Sequence, residues 1–232
     1  MSALAVTDAR GSASALPPDT RLTCPTCGDQ RNLDDFFLWA NQANAALLFA
    51  RGMVAARRGD SVGAAGAASR LRRQAATLDS DGFAASVESA ALQIDALANN
   101  DVSAATKAVA LELGAGPPPY GPPVIPPAAE TLALLLLAES NVEAAMRALR
   151  VLRSQELELG NQGRASSVVL RMEALLAVGS VEEACALFAA RAVPMFSEAD
   201  AGAYWATRSA VAGRKAGCAD EEMDLEVAPH GK

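Results

Sequence analysis

Two thiols three residues apart, in the run Cys24-Pro-Thr-Cys27-Gly28, are the sharpest chemical motif in this chain. On a turn closed by glycine they match half of a zinc ribbon, and a structural zinc site takes four tetrahedral ligands. The missing ligands would come from Cys218 and His230 folding back onto the pair, or from a second chain. A redox role is the other chemical reading. No strand–helix–strand pattern surrounds the motif, however, and no cation or helix start stands beside it to lower a thiol pKa. The plainest account is a pair of free thiols. Cys185 falls inside an expected helix beside Ala184 and is expected to pack as a small hydrophobe.

The rest of the inventory argues against catalysis. The chain has one histidine, His230, two residues from its C-terminus, so no Ser-His-Asp or Cys-His set can be assembled within plausible reach. The glycines of "RGDSVGAAG" follow a helical stretch rather than a strand, and no Lys-Ser/Thr pair follows them, which excludes a phosphate-cradling loop. Glu182-Glu183 sits at a helix start, where acids favour the helix dipole. A formal charge of −7, from 20 basic and 27 acidic residues, leaves no basic stripe for nucleic acid. Arg57-Arg58 and Arg70, Arg72 and Arg73 lie on helical segments and read as solvated faces. The acidic tail, Asp220 to Glu226, reads the same way.

The elements that position these residues are helical. Of the 232 residues 51% are hydrophobic, mostly alanine and leucine, but only 4% are aromatic. That composition favours helices and disfavours a β-sandwich or barrel. Residues 1–32 read as a mobile arm, rich in Ser, Pro, Asp and Gly. A helix is expected from Asp34 onward, with Asp34-Asp35 as its cap and first-turn acids. No basic region followed by an apolar one marks a secretory signal, and the apolar run Leu132–Ala138 is too short to cross a bilayer. A cytoplasmic protein is expected.

Four blocks then recur: "AARRGDSVGAAGAA", "ALANNDVSAATKAV", "LLAESNVEAAMRAL" and "LLAVGSVEEACALF". Each is an apolar helix end, a small or polar turn, a capping residue and an alanine-led helix. Gly59, Asn100, Ser140 and Gly179 are the equivalent turn residues, spaced 41, 40 and 39 apart, and Gly217 follows 38 residues later. A near-constant period of this size marks stacked helical hairpins. Such residues tolerate the left-handed backbone that ends a helix, and the following Asp, Asn or Ser can cap the next one. Ala64, Ala105, Ala145 and Ala184 fall at one equivalent site early in each second helix, where a small side chain lets two helices approach. Chance likeness among alanine-rich helices is the competing account, but turn, cap and alanine recur together four times. Between the second and third hairpins, residues 114–127 hold seven of the twelve prolines and are expected to be an extended spacer. The same stretch could serve as a ligand for a proline-binding domain.

These blocks resemble tetratricopeptide repeats. The stretch from Phe49 to Ala192, above all "YGPPVIPPAAETLALLLLAESNVEAAMRAL", is similar to the C-terminal part of uncharacterised bacterial tetratricopeptide-repeat proteins. It departs from that family in a period longer than about 34 residues, in lacking the consensus Trp and Tyr from most repeats, and in lacking a long N-terminal array. The resemblance implies an all-α solenoid of about four antiparallel hairpins plus a terminal capping helix over residues 33–217, followed by an acidic tail, 218–232. It also implies a ligand face on the first helix of each hairpin. Transferred by the turn positions, that face holds Phe49, Met53, Arg57, Glu130, Leu134, Val169, Glu173 and Tyr204, with Leu137 and Arg214 beside them. The plainer account of the same residues is packing against the next hairpin.

The expected function is that of a non-catalytic interaction or scaffold module holding a peptide or helix of a protein partner, with no nucleic acid, membrane or cofactor. The alternatives are a zinc- or redox-responsive module built on Cys24 and Cys27, and a regulatory subunit of an enzyme on another chain. The zinc reading predicts a chelator-sensitive mass increment in native mass spectrometry that a Cys24→Ser, Cys27→Ser variant lacks.

Overall fold

The computed structural model describes residues 30–78, 81–115, 125–154, 161–197 and 203–218. The described residues are all helical, apart from turns and short connections. In chain order the helices are α1 (Gln30–Arg57), α2 (Ser61–Ala75), α3 (Asp81–Asn99), α4 (Val102–Ala115), α5 (Ala128–Ala138), α6 (Val142–Ser154), α7 (Asn161–Ala177), α8 (Val181–Leu187), α9 (Val193–Ser197) and α10 (Ala203–Ala216). None of them is long and apolar enough to cross a membrane.

The turn residues picked out by spacing share one conformation. Gly59, Asn100, Ser140, Gly179 and Gly217 have φ of 73°, 52°, 59°, 79° and 71°. In each case the next amide donates back five residues: Asp60 to Ala55, Asp101 to Ala96, Asn141 to Leu136, Ser180 to Leu175 and Cys218 to Gly213, at 2.8–3.0 Å. This is the Schellman arrangement, which satisfies carbonyls that a helix end would otherwise leave open. The residue after the turn then caps the following helix. Asp60 accepts from Gly63 N–H at 2.8 Å, Asp101 from Ser103 and Ala104, and Asn141 from Ala144. Ser180 makes no such side-chain cap. Ala64, Ala105, Ala145 and Ala184 are each fully buried.

Two element boundaries differ from the sequence expectation. Helix α1 begins at Gln30, so Asp34 and Asp35 lie inside it rather than at its cap. No glycine or proline stands between Gly28 and Asp34 to stop a helix from extending backward. At the other boundary, Gly114 and Ala115 close α4 instead of opening the spacer. Residues 116–124, most of the proline-rich stretch, lie outside the described residues, as do 1–29 and the acid-rich 219–232.

Each odd-numbered helix up to α7 packs on its even partner, and a second series of contacts links α1 to α3, α3 to α5, α5 to α7, and α7 to α10. One apolar core joins α1 to α3 around Leu71, Val87 and Ile94, and a second joins α5 to α10 around Leu149, Leu170, Met172 and Phe188. A smaller cluster of Ala96, Ala104, Ala105 and Leu135 bridges them. Gly52 allows α1 and α3 to approach, since a Cβ there would strike the Ile94 side chain. Arg72 of α2 pairs with Asp95 and Glu88 of α3 across their partly exposed edge.

After α8 the backbone widens into a π-helical turn, Phe188–Ala192, where Val193 N–H donates to the Phe188 carbonyl. Pro194 follows directly. Its ring would clash with the carbonyl four residues back in a regular α-helix, and the wider turn relieves that clash.

Backbone strain at the turns is separable from packing at Gly179, where an added Cβ would meet nothing within 4 Å. Gly179→Ala should therefore lower stability by about 1 kcal/mol, from the left-handed backbone alone. Ser140→Gly should raise it by about 0.5 kcal/mol, since relief of the left-handed strain is partly offset by the entropy of the unfolded chain. Urea unfolding of both variants checks the pair of signs.

Candidate functional site

Helix α5 carries an acid, Glu130, in a first turn that is held from outside the helix. Pro126-Pro127 leads into α5, and the Ala128 amide donates to both carboxylate oxygens of Glu112 at 3.0 and 3.2 Å. Ser89 Oγ donates to the same carboxylate at 2.6 Å. Buried Gln93 donates through its side-chain NH2 to the Pro126 carbonyl at 3.1 Å and accepts from Thr131 Oγ1 at 2.9 Å. Four polar residues of α3, α4 and α5 thus fix the first turn of α5, and that turn carries Glu130. Burial pushes the Glu112 carboxyl above the usual range, against the opposing pull of its Ser89 and Ala128 hydrogen bonds.

Glu130 is itself only 7% exposed. Burial raises its pKa, while the Ser166 hydroxyl, which donates to it from α7, and the charges of Arg57 and Arg208 act the other way. Its surroundings come from four helices. Arg57, the last residue of α1, lies over the Tyr204 ring of α10 at 4.8 Å from the centroid. This is cation–π range. Arg208, one turn after Tyr204, donates from Nη1 to the Tyr204 hydroxyl at 2.8 Å and stands 5.7 Å from the centroid of Trp205. Its other donors form a two-point pair with Glu173 of α7, Nε to Oε1 at 2.5 Å and Nη2 to Oε2 at 2.6 Å. Burial works against the Arg208 charge, but the Glu173 hydrogen bonds and field outweigh it, so its pKa is raised. Tyr204 and Trp205 meet edge to face, with centroids 4.9 Å apart.

Of the residues assigned to a ligand face, Arg57, Glu130, Glu173 and Tyr204 meet in this one cluster. The apolar members sit elsewhere. Phe49 and Met53 are buried in the core of α1 to α3, and Val169 is buried in the core of α5 to α10. Leu134 and Leu137 are half-buried against that second core. Arg214 is exposed. Cys24 and Cys27 lie outside the described residues.

Arg208, Trp205 and Ser166 are members of the cluster that sequence reasoning passed over. The four-residue step from Tyr204 to Arg208 is one helical turn and was a usable signal for the first of them. Nothing in the sequence marked Ser166. Chemically, the cluster is a buried carboxyl ringed by two guanidinium groups, an aromatic pair and a second carboxylate, a set suited to holding and orienting rather than to proton transfer on a substrate. Among the described residues, no group of three or more His, Cys, Asp or Glu side chains stands together as a metal would need. No protein-family model, curated protein or solved structure matches the chain.

The burial of Glu130 has a consequence for stability against pH. Its folded pKa lies above the ordinary value of 4.5, so the folded chain keeps a proton that the unfolded chain has released. Its contribution to stability is therefore present at acid pH and is lost as pH rises from about 4.5 through the raised value. Glu112 acts in the same direction. Glu130→Gln keeps an acceptor for Ser166 and removes the ionisation. It should leave the protein as stable as wild type or more so at pH 7, and should flatten the loss of stability between pH 4.5 and pH 7. Urea midpoints measured across that range check it.

Proposed function

We propose that this protein is a non-catalytic interaction module: a solenoid of four helical hairpins closed by α10 that holds a peptide or helix of a protein partner against its odd-numbered helices. The observation that supports this most directly is the succession of contacts from α1 to α3, α5, α7 and α10, which lays one helix of each hairpin beside the next. Stacking of this kind is how helical repeats bury faces that a single hairpin leaves open, and it generates an extended surface. The resemblance of the turn blocks to tetratricopeptide repeats points the same way.

In this reading the polar cluster has two roles. Glu130, Glu173 and Arg208 join α5, α7 and α10 from within, while Arg57 and Tyr204 form its outer, reachable part. Arg57 is exposed, with its guanidinium over the Tyr204 ring, where an approaching chain can reach it. Partner side chains would bury apolar surface against half-buried Leu134 and its neighbours, at about 25 cal/mol per Å2 before ordering costs. Arg57 would set direction along the face. Phe49, Met53 and Val169 would support the face from behind.

The test is selection from a displayed library of amphipathic helical peptides. The wild-type chain should enrich a consensus. An Arg57→Glu, Tyr204→Ala variant with unchanged far-UV circular dichroism should bind the selected peptides at least about tenfold more weakly, a loss of about 1.4 kcal/mol. Absence of any consensus, or equal binding by the variant, would overturn the assignment of this face.

A further inference from the structure

The fifth turn differs from the four before it. At the others, the residue after the left-handed position is Asp60, Asp101, Asn141 or Ser180. At the fifth it is Cys218. The chain reverses at Gly217, with φ of 71°, and Cys218 N–H donates back to the Gly213 carbonyl at 3.0 Å. That reversal carries the Cys218 side chain back along α10, where its Sγ lies 3.5 Å from the same carbonyl. Cys185 reaches the same place from α8. It directly follows Ala184, the buried alanine of its hairpin, and its Sγ points at the Ala216 carbonyl at 3.7 Å. Both thiols therefore lie against backbone carbonyls of the last turn of α10, three residues apart. Both residues are half-buried and neither is in a disulfide. Thirty-three residues of sequence separate them, so only the docking of α10 against α7 and α8 brings them together.

We propose that Cys185 and Cys218 are a dithiol that closes to an intramolecular disulfide when the protein meets a peroxide, fastening the C-terminal end of α10 to α8. Burial and the neighbouring Cys185 thiol push Cys218 up to about 11, so Cys218 keeps its proton at neutral pH. Cys185 opens the reaction. Its sulfur attacks one peroxide oxygen and gives up its proton, the O–O bond breaks, and the departing hydroxide takes a proton to leave as water. Cys185 is then a sulfenic acid. This removes the thiol whose hydrogen bond and field held the Cys218 proton. Cys218 gives that proton to solvent and its sulfur attacks Cys185 Sγ. The S–O bond breaks and a second hydroxide leaves and is protonated to water. In sum, two thiols are oxidised and one peroxide is reduced to two waters. Both sulfurs lie against the same last turn of α10, which is the approach a disulfide between them needs. It would cross-link a helix otherwise held by packing and by the Arg208–Glu173 pair.

The experiment treats the reduced full-length chain with a small excess of hydrogen peroxide, blocks remaining thiols, and maps tryptic peptides by mass spectrometry. Cleavage after Arg171, Arg191 and Lys215 places Cys185 in peptide 172–191 and Cys218 in peptide 216–232. Cleavage after Arg21 and Arg31 isolates Cys24 and Cys27 together in peptide 22–31. The expected product is the 172–191 peptide joined to the 216–232 peptide in a monomeric chain, reversed by a reducing agent and absent from Cys185→Ser. The thermal midpoint of the wild-type chain should rise on oxidation, and that of Cys218→Ser should not. Separate sulfinic acids at Cys185 and Cys218, free and alkylatable thiols at both, or a linkage confined to peptide 22–31 would each overturn the proposal.

Discussion

A left-handed residue, followed by an amide that reaches back five positions, sets the direction of the chain after each first helix. That hydrogen bond closes the helix end, and the residue donating it sits where three of the turns also use a side chain to start the next helix. The buried alanine four positions further on then lets the second helix lie close to the first. With a larger side chain at Ala64, Ala105, Ala145 or Ala184 the helices would have to separate, and the packing of each odd-numbered helix on the next would lose its spacing. The architecture thus rests on a local backbone device repeated at a fixed interval. It does not depend on any one long-range contact.

Polar groups hold the start of α5: Glu112, Gln93, Ser89 and Thr131 together fix its first turn. Buried polar groups of this kind are tolerated only when they are partnered, and these partner one another. They also bring Glu130 into the interior, where ionisation is costly. Ser166, Arg57 and Arg208 then act on that carboxyl in favour of its charge, against the larger effect of burial. The partly buried Arg208–Glu173 pair orients α7 and α10 more than it stabilises them, because moving one partner strands the other. The same cluster aligns α5, α7 and α10 with one another.

The end of the array reuses the turn for a different purpose. Gly217 turns the chain as its four counterparts do, but within the described residues no helix follows, and the residue at the capping position is a cysteine. A geometry that elsewhere begins a helix here lays the Cys218 thiol, like that of Cys185, against the last turn of α10.

Local features were legible in the amino-acid sequence by itself. Gly59, Asn100, Ser140, Gly179 and Gly217 could be recognised by interval and residue type, because a left-handed turn and its cap restrict the chemistry of single positions regardless of what packs around them. The all-helical class followed from alanine and leucine for the same reason. The grouping of Arg57, Glu130, Glu173 and Tyr204 on one face came from the turn positions and the repeat resemblance. What only the tertiary structure decided was depth and neighbourhood. Phe49, Met53 and Val169 share a periodicity with Arg57 and Glu130, and periodicity assigns a face without saying how far the next helix covers it. Arg208 and Glu173 are 35 residues apart and Cys185 and Cys218 are 33 apart. Their meeting depends on how α10 docks against α7 and α8, a rigid-body choice made by buried area, which no spacing along the chain encodes.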